Sequence, residues 1–203
     1  MRVLVTCEES QAVCIEFRKR GFEAYSNDVQ ECSGGHPEWH LQMDAFEAIE
    51  KIKPVLLIAH PPCTYLSNAG AVHLFGGGKL NEERYKKGIE AKEFFLKILN
   101  CNVPFICVEN PIPSNIYRLP RHTQQIQPYH FGHPFKKATR LWLRGLKPLM
   151  PTNIVFKRAL YVSRKGTKAI NGAKSTAKDR SKTFPGIAQA MAEQWGNYLK
   201  QNL

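Results

Sequence analysis

Short apolar runs alternate with longer stretches of helical periodicity along most of the chain. Arg2 to Cys7, centred on Val3, Leu4 and Val5, reads as a strand. Ser10 to Arg20 reads as a helix, and Gly21 is a good stop for it. The chain returns through Phe22 to Asp28 as a second strand, so the opening unit is β-α-β. Gln30 to Ala45 reads as a loop and Ala45 to Lys51 as a helix. Pro54 to Ala59 is apolar enough for one buried strand, which Pro61 and Pro62 stop. Glu82 to Asn100 reads as a single long helix that packs through Ile89, Phe94, Phe95, Ile98 and Leu99. Val103 to Val108 is another buried strand, Pro111 to Pro134 is mostly loop, and Phe135 to Leu143 is a strand with a basic entry. A last helix runs through Ala188, Ala190, Met191, Ala192, Trp195 and Leu199. Such an alternation over 203 residues predicts one α/β domain with a sizeable core.

The carboxyl ends of the two buried strands carry the candidate chemistry, because ligands of open α/β sheets sit outside those ends. The first end presents Cys63 and the second Glu109. A thiol beside a carboxyl suits attack on a cytosine ring, whose carbon 5 is too poor a nucleophile to act unaided. A thiolate adding to carbon 6 makes the ring an enamine, and a carboxyl on N3 and the amino group stabilises the developing charge. The bland reading is a buried cysteine after a strand that two prolines happen to end.

Pro61-Pro62-Cys63-Thr64-Tyr65-Leu66-Ser67 resembles the catalytic Pro-Cys loop of the DNA cytosine-5 methyltransferases, and Val108-Glu109-Asn110-Pro111 resembles their Glu-Asn-Val motif. The resemblance implies a Rossmann-like, S-adenosylmethionine-dependent methyltransferase fold, a mostly parallel sheet with helices on both faces. It implies Cys63 as nucleophile, Glu109 as the residue holding the target cytosine, and S-adenosyl-L-methionine as cofactor. It further implies that Arg140, in the segment resembling the family's Gln-x-Arg-x-Arg, fixes the nucleotide, with Ser67, Asn110 and Lys137 on the substrate. The donor-binding set it implies is Cys7, Glu8, Ser10, Asp28, Asp44, Pro61, Phe184 and Gly186. Asp28 ends a strand, where a carboxylate accepts hydrogen bonds from a ribose; Asp44 also suits the N-cap of the following helix. The chain departs from the family in the turn after the first strand. Thr6-Cys7-Glu8-Glu9-Ser10-Gln11 has no glycine, so Glu8 or Glu9 is left to meet the donor's ammonium, or merely to decorate a helix N-terminus.

Charge adds a partner. Lys and Arg outnumber Asp and Glu by 29 to 17, a net +12, which favours nucleic acid over a membrane, and no long apolar span is present. The excess is densest between Pro151 and Lys182, which reads as a basic arm or short hairpin in the position of a target-recognition domain, suited to sequence-tolerant phosphate contacts. Gly76-Gly77-Gly78 reads as a mobile cover near Cys63. Six cysteines at irregular spacing argue for reduced thiols, and the absence of a visible signal peptide for a bacterial or phage-infected cytosol. Cys32, His36 and His40 lack a second pair with metal spacing, so no metal is expected. No obligate protein partner is evident. The leading expectation is methyl transfer to cytosine carbon 5 in single- or double-stranded DNA. The alternatives are C5 modification of a free pyrimidine nucleotide or with another donor, and a non-catalytic basic DNA-binding module. A zinc deaminase is disfavoured, since the Pro62-Cys63 loop lacks that signature.

Overall fold

Arg2–Thr6 becomes an interior strand, β1, because both of its faces are apolar: Val3 and Val5 enter one core and Leu4 the other. The computed structural model describes residues 1–76, 78–156, 160–161 and 181–203. Around β1 the strands β2 (Glu23–Asp28), β3 (His40–Gln42), β4 (Leu56–Ala59), β7 (Phe105–Pro111), β8 (Gln124–Ile126) and β10 (Thr139–Arg144) form one seven-stranded sheet in the order β3-β2-β1-β4-β7-β10-β8. All neighbours are parallel except β10, which runs antiparallel to both β7 and β8. The sheet is Rossmann-like and mostly parallel, with helices on both faces.

Helices α1 (Ala12–Lys19) and α5 (Pro185–Asn202) cover one face, where Phe17, Met191 and Trp195 pack on Val3, Val5, Ile58 and Leu141. The opposite face carries α2 (Ala45–Ile52) and α4 (Glu82–Leu99), with Ile49, Phe95 and Ile98 on Leu4, Leu57, Ile106 and Trp142. Arg144 donates to the carbonyls of Leu99, Cys101 and Val103, closing the turn from α4 into β7. A short helix α3 (Asn68–Ala71) follows the Pro-Pro-Cys loop. None of the described helices is long and apolar enough to cross a membrane.

Several boundaries differ from the sequence reading, each for a local reason. The Gln30–Ala45 loop contains a strand, β3, which sits at the sheet edge and so needs no apolar alternation. Likewise β8 lies at the far edge, with only Ile126 turned into the core. The expected strand 135–143 is broken between β9 (Phe135–Lys136), which pairs with β11 (Leu160–Tyr161), and β10, leaving Lys137 and Ala138 out of both ladders. The glycine run is not a plain connector: Phe75–Gly76 (β5) and Lys79–Leu80 (β6) pair as a small exposed hairpin. Strand β7 continues through Pro111, so Glu109 and Asn110 are members of the ladder rather than residues beyond it. The basic arm expected at 151–182 falls largely on 157–159 and 162–180, and with Gly77 lies outside the described residues.

Candidate active site

The strand order reverses at β1, with β2 on one side and β4 on the other, so the loops leaving these strands diverge and open a crevice at their carboxyl ends. A cavity of about 580 Å³ occupies that crevice. One end is lined by Cys7, Glu8, Ser10, Asp28, Met43 and Asp44, the other by His60, Pro61, Cys63, Glu109, Lys137 and Lys182.

The turn after β1 reaches its shape without glycine. Cys7 and Gln11 both take left-handed backbone angles, φ 58° in each case, a conformation that costs an L-residue roughly 1–2 kcal/mol. A buried polar network holds them there. Thr6 donates to Asn27 Oδ1, and Asn27 Nδ2 donates to the carbonyls of Leu41 and Met43. Gln11 Nε2 donates to Ser26 Oγ and the His36 carbonyl, and its Oε1 accepts from His36 N–H. The glycine in this region is Gly34 instead: a Cβ there would stand 2.6 Å from the Ser10 carbonyl oxygen, so only glycine lets the next loop close on the turn.

Glu8 is buried, and its two oxygens accept from the N–H groups of Val13 at 2.7 Å and Cys14 at 3.3 Å. Its carboxylate therefore caps α1, the structural alternative to binding an ammonium. Burial pushes its pKa up to about 7, against the pull of His60 and the two hydrogen bonds. Asp28 stands at the cavity rim and accepts from Gln30 N–H at 3.0 Å. Asp44 lines the cavity and also caps α2, Oδ1 accepting from Phe46 and Glu47 N–H.

At the other end the Pro-Pro-Cys loop is fastened at every turn. His60 N–H donates to the Thr6 carbonyl and Ser67 N–H to that of Cys63. Arg84 from α4 donates to the carbonyls of Thr64 at 3.1 Å and Gly70 at 3.0 Å, with its guanidinium 5.0 Å from the Tyr65 ring centre. A Cβ on Gly70 would lie 2.0 Å from the Thr64 carbonyl oxygen, so glycine is required for α3 to close on the loop. Ser67 caps α3 by accepting from Gly70 N–H, and Asn110 Nδ2 donates to the Pro61 carbonyl at 3.2 Å; both act on the loop from beneath. Cys63 is partly accessible. Burial and the charge of Glu109 raise its thiol pKa, and Lys137 opposes them.

Glu109 pairs with His60, Oε2 to Nδ1 at 3.0 Å. Burial works against both charged forms, yet the hydrogen bond and mutual charge prevail: His60 is raised and Glu109 lowered, with Lys137 also drawing Glu109 down. They form an ion pair.

Five expected site residues do not line this cavity: Ser67 and Asn110, which brace the loop, and Arg140, Phe184 and Gly186. Arg140 pairs in register with Asn110, one residue along from Glu109, so strand alternation turns it to the opposite face. Lys137, which precedes β10, lines the cavity in its stead, together with Lys182. Phe184 is the N-cap residue of α5 and packs on His133 and Phe135, beside a minor recess behind Glu109 and Lys137. Gly186 donates its N–H to His133 Nε2 at 3.0 Å, a helix-docking contact. His36 stacks on Trp39, and His40 uses both ring nitrogens, on Ser26 Oγ and the Gln30 carbonyl. Sequence reasoning missed His60 and Lys182. The available signal for His60 was the period-2 alternation from Ile58, which carries it to the face that Glu109 shares.

No protein-family model matches the sequence, and no curated protein matches it. Among solved structures, a methyltransferase of Entamoeba histolytica, EhMeth, superposes at TM-score 0.47 with 12% identity, over 76% of this chain and 57% of that one. The Dnmt2 methyltransferase of S. pombe superposes at TM-score 0.44 with 12% identity, over 73% of this chain and 51% of that one. The chain thus spans just over half the length of either protein.

Proposed function

We propose that this protein methylates carbon 5 of cytosine in DNA, with S-adenosylmethionine as donor and a covalent adduct at Cys63, in the cytosol. The observation that carries the reading is one cavity shared by Cys63, Glu109, Asp28 and Asp44. Its volume, about 580 Å³, falls in the usual range of small-molecule sites. The residues at its donor end fit the cofactor: Asp28 is at a strand end suited to a ribose, and Met43, Ala45 and Phe94 supply an apolar wall for a purine beside Asp44. When bound, S-adenosylmethionine supplies an electrophilic methyl group.

Cys63 forms the bond to carbon 6 of the ring, and Glu109 holds the N3 and amino edge. Lys137 stabilises the Cys63 thiolate and the Glu109 carboxylate electrostatically. Asn110 and Arg84 tether the loop that carries Sγ, which limits its motion before attack. A cytosine stacked in a duplex is out of reach of a site this recessed, so the base is flipped or taken from a single strand. The net charge of +12 supports a nucleic-acid substrate.

Transfer of a radiolabelled methyl group from S-adenosylmethionine to cytosine-containing DNA tests the reading. Incorporation is expected in the wild type, with Cys63→Ala and Glu109→Gln at background and their circular dichroism unchanged. No incorporation by the wild type, or undiminished incorporation by Cys63→Ala, overturns it.

A further inference from the structure

We infer that His60 is a positioning residue that holds Glu109 and carries the proton which Glu109 delivers to N3 of the target cytosine. The inference rests on the reading of Cys63 and Glu109 as cytosine-directed. It starts from geometry: the His60 side chain is only 10% exposed, and its Nδ1 lies 3.0 Å from Glu109 Oε2. Its Nε2 is buried and has no hydrogen-bond partner among the described residues. A ring held only for structure would satisfy both nitrogens, as His40 does. Here the ring's side-chain hydrogen bonding is spent on Glu109, a carboxylate that lines the same cavity as Cys63. The unpaired nitrogen also makes the imidazolium less comfortable than a fully bonded one, which favours surrender of the proton to Glu109.

The surroundings keep one proton on the pair. The ionisable groups around the pair are Glu8 and Glu9 from the turn after β1, Cys63 from the loop after β4, Lys137 between β9 and β10, and Lys182 ahead of α5. Glu8 favours a charged His60, and Lys137 opposes it. A carboxylate alone can only accept from the cytosine edge, whereas addition at carbon 6 leaves N3 in need of a proton. The steps balance. Cys63 Sγ gives its proton to solvent and forms the Sγ–C6 bond, the C5=C6 electron pair moves through C4 onto N3, N3 takes a proton from Glu109, and Glu109 takes the Nδ1 proton of His60. After carbon 5 has lost its hydrogen to solvent and the Sγ–C6 bond has broken, the N3 proton returns through Glu109 to a neutral His60. No oxidant or reductant is needed.

The test uses the full chain without donor and follows exchange of tritium from carbon 5 of labelled cytosine in DNA, a reaction that requires reversible addition of Cys63. His60→Asn keeps a donor near the Nδ1 position but has no titratable proton; His60→Gln is the second variant. Both are expected to slow exchange by about 100-fold, the usual scale for loss of general acid help. The wild-type pH profile is expected to fall on the alkaline side, where the pair loses its proton, and that limb should move in the variants. Adduct formation with 5-azacytosine in the same DNA is expected to fall by less than about tenfold, because its ring nitrogen takes the electron pair without needing N3 protonated. Equal losses on both rings would reduce His60 to a packing role and overturn the inference, as would exchange by His60→Asn within about threefold of wild type. A wild type that neither exchanges tritium nor forms the adduct would instead bring down the reading of the site, and the inference with it.

Discussion

The two ends of the cavity are built on different principles. At the catalytic end the chemistry is carried by residue type, with a thiol, a carboxylate and an imidazole on adjacent strand ends and a loop tied down by Arg84, Asn110 and Ser67. At the donor end the shape comes from a buried network that holds Cys7 and Gln11 in backbone angles more usual for glycine, while Glu8 is consumed in capping α1. On the proposed reading, the Cys63 end therefore tolerates no change of functional group, and the end proposed for the donor no change of the side chains that hold its backbone.

The largest effect expected of that difference lies in the stability of the donor end. Glu8 has a folded pKa near 7 against an ordinary 4.5, so between these values the native state binds more protons than the unfolded state. Stability is therefore fullest below the unfolded value and declines as pH rises through the folded one, by up to about 3 kcal/mol. Denaturant titrations from pH 4.5 to 8 should show this fall in the wild type and a flatter profile in Glu8→Gln; parallel profiles would place the buried charge elsewhere.

Removing Arg84 sharpens the contrast from the other side. Arg84→Ala frees the Thr64 and Gly70 carbonyls, and a loop displaced by about 1 Å should lose on the order of 100-fold in kcat. Donor affinity by calorimetry should be unchanged, since Arg84 does not line the cavity. Weakened donor binding in this variant would mean that the two ends are not separable.

Asp28→Ala should do the reverse. Loss of a charge-assisted pair of hydrogen bonds to a ribose is expected to weaken donor affinity by about tenfold, or 1.4 kcal/mol. Alkylation of Cys63 by iodoacetamide should proceed at the wild-type rate. The smallest effect is expected of Cys7→Gly, which relieves a left-handed backbone angle at the cost of a more flexible unfolded chain, leaving a net change within about 1 kcal/mol in denaturant titration. A large loss would show that the Cys7 side chain matters in itself.

The same contrast explains what the sequence disclosed. Apolar runs marked β1, β4 and β7 because strands buried on both faces leave no polar position to blur the pattern. Cys63 and Glu109 stood out in the sequence because a thiol and a carboxyl at neighbouring strand ends are conspicuous, and the structure brings both to one cavity. The edge strands β3 and β8 did not stand out, since an exposed edge strand is compatible with His and Gln. Arg140 was misplaced by one step of strand alternation, a quantity fixed by register with β7 that no local spacing reveals. The network of Gln11, Ser26, Asn27 and His36 spans 25 residues and consists of ordinary polar side chains, so nothing in their order announces that they replace a glycine turn. His60 is obscured for a different reason: it immediately precedes the Pro61–Ser67 motif, whose cysteine carries the recognisable chemistry.

The most direct test of the account is covalent trapping. DNA bearing 5-fluorocytosine, incubated with the protein and S-adenosylmethionine, should yield one protein–DNA adduct, because fluorine at carbon 5 blocks the elimination that would release the enzyme. Peptide mass mapping should place the bond at Cys63, and Cys63→Ala should give none. An adduct on another cysteine, or no adduct from a wild-type protein that binds both DNA and donor, would contradict the claim that this cavity joins the two.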